Sequence, residues 1–92
     1  MIKSFKHKGL QKFYLTGNVS GIQAAHKQKL RMRLAALDTA MCIEDMDLPG
    51  FRLHRMKGDR QEIWAIDVNK NWRVTFKFEE GDAYIIDYED YH

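Results

Sequence analysis

At 92 residues the chain has the size of one domain with a single modest core; its 45% hydrophobic and 30% charged residues match a soluble globular protein. No apolar run approaches the roughly 20 residues that span a bilayer, nothing at the N-terminus resembles an export segment, one cysteine (Cys42) cannot staple the fold, and no Cys/His group has metal-ligand spacing. The expected protein is therefore cytoplasmic, with no metal, no cofactor and no membrane partner, and its formal charge of +2 divides unevenly: twelve Lys/Arg against five Asp/Glu in residues 1–60, three against eight in 61–92.

The opening Ile2–Phe5 reads as a short strand. Leu10, Phe13 and Tyr14 follow helical spacing, and Gly17-Asn18 supplies a stop. Ser20-Gly21-Ile22-Gln23 fits a capping box for a second helix, which would place Ile22, Leu30, Leu34, Leu37 and Met41 on one apolar stripe. Lys27, Lys29, Arg31 and Arg33 fall mainly outside that stripe. From Lys3 to Leu37 there are eight basic residues and no acidic one. That run fits either a polyanion-facing surface or an ordinary solvated helix face.

Beyond Pro49-Gly50 the period changes from helical to alternating. Phe51–Met56 reads as a strand, with Leu53 on the face opposite His54. Trp64, Ile66 and Val68 line another. Trp72, Val74, Phe76 and Phe78 share one face of the clearest strand, and Arg73, Thr75 and Lys77 share the other. Tyr84, Ile86 and Tyr88 line the last. Turns are expected at Lys57-Gly58-Asp59, Asn69-Lys70-Asn71 and Glu80-Gly81-Asp82. Two helices followed by hairpin-linked strands make an α+β fold. The helices should cover the Trp72/Val74/Phe76 face, leaving the face of Arg73 and His54 open.

The chain closes on Tyr88-Glu89-Asp90-Tyr91-His92. These residues are either a strand running out into polar positions or groups that handle protons. With His54, Lys57, Arg60, Arg73 and Lys77 they make a set of imidazoles, cations and a phenol, with no obvious Ser or Cys nucleophile and no phosphate-cradling glycine loop. Metal-free RNA cleavage needs such a set. A base takes the 2′-OH proton, cations stabilise the phosphoryl oxygens, and an acid protonates the leaving oxygen. Each residue also has a plainer reading, as a hydrogen-bonded strand histidine or a solvent-facing strand cation. Trp64 and Trp72 sit in phase with aliphatic neighbours, as core residues do. His7 and His26 have no evident partner and are assigned no role.

The run from Leu53-His54-Arg55-Met56-Lys57-Gly58-Asp59-Arg60, through Trp64, Ile66 and Val68, to Asn71-Trp72-Arg73-Val74-Thr75-Phe76 resembles the HigB toxins of the RelE/ParE superfamily. The close from Gly81 to His92 and the opening Met1–Leu10 resemble the same family. Arg55 stands where that family often has a Pro after its strand His. The resemblance implies a RelE-like single domain over residues 1–92, with two N-terminal helices on one face of a mostly antiparallel, curved sheet of four to five strands. It also implies a toxin that enters the A site of the 70S ribosome and cuts mRNA under translation. Its partner would be a HigA-type antitoxin through which the complex binds operator DNA.

Carried onto this chain, the active residues would be His54, Asp90, Tyr91 and His92, with Lys57 and Arg73 on phosphates. Arg60 is added on its own position. His54 and His92 would form the proton-transfer pair. The terminal carboxylate, Asp90 and Glu89 favour an imidazolium at His92. A DNA gyrase-poisoning toxin of the ParE type and a plain RNA- or ribosome-binding module are the alternatives. The proton-transfer groups argue against the first, and the basic helices alone would support the second.

Overall fold

The computed structural model describes residues 1–90. Helix α1 spans Lys8–Thr16 and α2 spans Lys27–Thr39; the strands are β1 (His54–Arg55), β2 (Trp64–Asp67), β3 (Trp72–Glu79) and β4 (Asp82–Asp90). Single-turn 3-10 helices lie at Ala24–His26, Ile43–Met46 and Gly58–Arg60. The four strands form one sheet in the order β1-β2-β3-β4, each antiparallel to its neighbour. Ile2 and Phe5 make isolated parallel bridges to Ala83 and Ile86, so the expected first strand is two touching points along β4.

The helix ends follow from local chemistry. At the start of α1, His7 Nδ1 accepts the Leu10 N–H at 2.9 Å, filling one orphan donor of the first turn. At its end Gly17 takes the left-handed conformation (φ 81°) and its N–H bonds Phe13 O. The Ser20 capping box does not form. Ser20 N–H donates to Asn18 Oδ1, and α2 begins only at Lys27. The cause is a backbone crossing. A Cβ on Gly9 would stand 2.5 Å from Gly21 O, so the backbone at Gly21 lies against Gly9 of α1 and the second helix starts after it.

Two stripe assignments change with it. Met41 is 83% exposed, because the helix ends at Thr39 and Ala40 is extended (ψ 134°), which takes Met41 out of helical phase. Arg33, expected outside the stripe, is buried. Its Nε donates to Asp67 O at 2.6 Å and its guanidinium lies 4.4 Å from the centre of the Phe51 ring. Leu10 and Phe13 of α1 and Leu30, Leu34 and Leu37 of α2 join Ile66, Val74, Phe76, Ile86 and Tyr88 of the sheet in one core.

The expected 51–56 strand shrinks to two residues. Gly50 (φ 84°) and Arg52 (φ 50°) are both left-handed, so the backbone is bent until His54. Arg55, where a Pro would interrupt pairing, lies directly opposite Trp64.

Register across β3 and β4 decides which side chains share a face. The Glu80-Gly81 turn, both residues at positive φ, is a tight hairpin that sets Glu79 opposite Asp82 and Lys77 opposite Tyr84. Continued regularly, it would set Arg73 opposite Tyr88. Instead Ile85 sits at φ 48° in a bulge, and beyond it Thr75 faces Asp87, Val74 faces Tyr88, and Arg73 faces Glu89. The expected Tyr84/Ile86/Tyr88 face is therefore split. Tyr84 lies with Lys77, and Ile86 and Tyr88 are buried on the core side.

Candidate active site

Cross-strand pairs stand on the same side of a sheet, so the pairings give the rows of the face away from Val74 and Phe76. One row runs His54, Ala65, Thr75, Asp87; the next runs Asp67, Arg73, Glu89. Ala65 and Thr75 are small and buried, and form a floor between the edge histidine and the last strand. The Gly58–Arg60 turn, opened by Gly58 at φ 71°, follows Lys57 directly.

His54, Arg55, Met56, Lys57, Arg60 and Arg73 line one cleft of about 410 Å³. Four sequence-predicted site residues, His54, Lys57, Arg60 and Arg73, thus converge, and among the described residues this lining carries four cations and no carboxylate. Asp90 is not among them. It stands at the end of β4 opposite Trp72, on the core-side phase of the sheet. Tyr91 and His92 lie outside the described residues. Lys77 is at the other end of β3, ion-paired with Glu62 at 3.3 Å and Glu79 at 3.1 Å.

The imidazole of His54 is oriented. Its Nδ1 lies 2.7 Å from Arg52 O; a carbonyl oxygen only accepts, so Nδ1 carries the hydrogen, and in the neutral ring Nε2 is the nitrogen with the lone pair. Two cations share one carboxylate. Arg60 Nη2 donates to Glu89 Oε1 at 2.7 Å, and Arg73 Nε lies 3.4 Å from the same oxygen. Burial raises the Glu89 carboxyl, but the hydrogen bond and charge of Arg60, with those of Arg73, outweigh it and hold the group below the usual Glu range. Glu89 therefore stays ionised and keeps two guanidiniums aimed at one region. Arg55 closes the β1 edge, its guanidinium 4.7 Å from the Trp64 ring centre and its Nη1 donating to Gln61 O.

Sequence reasoning missed three of these parts: the Glu89 clamp, the backbone hold on His54 and the partners of His26. Asn69 Oδ1 accepts from the N–H groups of Asn71 and Trp72, which leaves Asn69 Nδ2 as a donor to His26 Nε2 at 2.9 Å. His26 Nδ1 then holds the hydrogen and donates to Tyr88 Oη at 2.5 Å. The ring stands edge-on to Trp72 and Tyr88, which stack on each other at 4.6 Å. Burial, with a smaller contribution from Lys29, lowers the His26 pKa. His26 is thus a neutral strut beneath Arg73 and Glu89, the strand neighbours of Trp72 and Tyr88. A partner for it could be sought from sequence only by knowing that the 69–71 turn and Tyr88 meet.

Residues 3–92 match the family model described as the RelE-like toxin of type II toxin–antitoxin system HigB. A relative from Proteus vulgaris, Endoribonuclease HigB, is 50% identical over 92 residues covering all of both chains. The fold resembles a conserved hypothetical protein of Helicobacter pylori with a solution structure, at TM-score 0.52 and 13% identity, over 97% of this chain and 96% of that one.

Proposed function

The chain belongs to the HigB-like family of RelE-like toxins from type II toxin–antitoxin systems, and on that footing we propose that it is an endoribonuclease that cuts mRNA under translation in the ribosomal A site. The observation that carries this reading is the convergence of His54, Lys57, Arg60 and Arg73 on one cleft, with Nε2 of His54 as the basic atom. His54 Nε2 takes the proton of a ribose 2′-OH, that oxygen attacks the adjacent phosphorus, and the bond to the 5′-oxygen breaks. His92 protonates the leaving oxygen, giving a 2′,3′-cyclic phosphate and a 5′-hydroxyl. Lys57, Arg60 and Arg73 meet the charge that builds on the phosphoryl oxygens. Asp90 steers an imidazole tautomer, and Tyr91 stacks on a base or orients the 2′-OH. The reaction runs without a metal.

The same reading takes residues 1–92 as one cytoplasmic domain. Both helices cover the core side of the curved sheet, and the other side is left to RNA. A HigA-type antitoxin neutralises the toxin and carries the complex to operator DNA. Among the described residues no helix is long and apolar enough to cross a membrane.

The test is a translating-ribosome assay with mapped mRNA 5′ ends and a parallel assay for DNA breaks. Folded His54→Ala and His92→Ala proteins should each cut roughly 10²–10⁴-fold more slowly than wild type. Undiminished cutting by either variant removes that residue's role. Double-strand DNA breaks with intact mRNA would point to a gyrase poison. Treating the toxin with EDTA and removing the chelator before ribosomes are added should leave the rate unchanged. A rate restored only by one divalent ion contradicts the metal-free step.

A further inference from the structure

The hold on His54 has a source outside the cleft lining. Asp67, a buried residue of β2, commits all three of its polar groups to neighbouring segments. Its N–H donates to Phe51 O at 2.7 Å, its C=O accepts Arg33 Nε at 2.6 Å, and its carboxylate Oδ2 lies 3.4 Å from Arg52 Nη1. The Asp67 side chain is 7% exposed, and Arg33 anchors it from α2 while stacking on Phe51. Arg52 is itself unusual. It is a non-glycine residue at φ 50°, a backbone state that L side chains adopt at a cost and that surrounding contacts must maintain. Its carbonyl is the atom that accepts the His54 Nδ1–H.

We propose that Asp67 is a positioning residue for His54: through its ion pair with Arg52 and its bond to Phe51 it fixes the left-handed turn whose carbonyl sets the imidazole in the Nδ1–H tautomer and aims Nε2 into the cleft. The proposal rests on the reading of His54 as a proton-transfer group. Without the tether, Arg52 relaxes toward ordinary negative φ and its carbonyl turns away. Nε2 is then protonated in a large share of molecules and cannot act as a base.

The experiment reads the tautomer first and the rate second. In ¹⁵N NMR of the wild-type protein at neutral pH, the His54 imidazole should show a protonated Nδ1 and an unprotonated Nε2. Asp67→Ala keeps both backbone bonds of Asp67, and Arg52→Ala keeps the carbonyl and the cost of a left-handed L residue while cutting the tether. Each should convert the His54 signals to a tautomer mixture. In the ribosome assay kcat should fall about 10-fold or more, with KM within about twofold of wild type. Arg52→Lys, which retains a cation for Asp67, should recover most of both readouts.

An Nε2–H tautomer in wild type, or an unchanged Nδ1–H tautomer in folded Asp67→Ala or Arg52→Ala, overturns the proposal. Should Asp67→Ala fail to fold, Arg52→Ala decides alone, since residue 52 is exposed. The expected tautomer shifts in a protein that cuts no RNA would uphold the positioning and remove the ribonuclease reading.

Discussion

Single residues hold this site in place by fixing where protons reside. His54, His26 and His7 each use Nδ1 differently. In His54 it donates to a carbonyl, in His26 it donates to a phenol, and in His7 it accepts a backbone N–H. For His26 the consequence is a pH dependence. Both of its nitrogens are committed in the neutral form, and a proton on Nε2 would face the Asn69 amide hydrogens. Its pKa is lowered on folding, so the unfolded chain binds the proton more readily. The stability it contributes is complete above the unfolded value near 6.5 and is lost as pH falls through the folded value. Urea midpoints measured from pH 7.5 to 5 should therefore drop on the acid side. His26→Gln should have a flatter profile at a lower plateau, and an unchanged slope would show that His26 does not titrate in that range.

At the scale of elements, two backbone features carry predictions of opposite sign to the usual rules. Gly to Ala inside a helix normally gains about 1 kcal/mol. At Gly9 the added Cβ would meet Gly21 O at 2.5 Å, so one segment must move away. Gly9→Ala should instead lose roughly 1–3 kcal/mol, seen as a lower urea midpoint with an unchanged m-value. Removing a residue from the middle of a strand normally flips every side chain beyond it. Ile85, however, is the surplus residue of its bulge. Deleting it would set Phe76 opposite Ile86 and leave Lys77–Tyr84 and Arg73–Glu89 paired as they are. The Ile85 deletion should fold and retain the His54/Arg73 face, whereas deletion of Asp87 should unfold the protein in the same thermal scan.

This bulge also shows where sequence reading stopped. Alternation places Arg73 and Lys77, with His54, on the open face, whereas the roles of Lys57 and Arg73 come from the family resemblance and Arg60 is added on its own position. Four of the seven proposed site residues, His54, Lys57, Arg60 and Arg73, line one cleft among the described residues. A bulge led by Gly or Asn would have announced itself. An isoleucine at positive φ does not, so the sequence alternates through Tyr84, Ile86 and Tyr88 and gives no sign that Glu89 pairs with Arg73. The Asp67–Arg52 tether was hidden for a related reason. It joins residues 15 apart through a left-handed arginine that no propensity favours.

Over the whole molecule the uneven charge acquires a location. Arg55, Lys57, Arg60 and Arg73 line the cleft, and the acidic final third contributes Glu89 as the anchor of Arg60 and Arg73. Binding of RNA should weaken as salt rises, and Lys57→Ala should reduce the slope of log K against log salt by about one. An unchanged slope would take Lys57 off the phosphate path.

The chain's two ends meet along β4. The Met1 ammonium donates to Gly81 O at 2.6 Å, Ala83 N–H donates to Met1 O, Lys3 N–H to Ala83 O, and Ile86 N–H to Ser4 O. Because Met1 and Gly81 are 80 residues apart in sequence, this edge of β4 closes only once folding has brought the intervening chain together. The same strand supplies Glu89, the shared partner of Arg60 and Arg73. Anything that peels the first residues away therefore loosens the strand that holds two cations of the cleft.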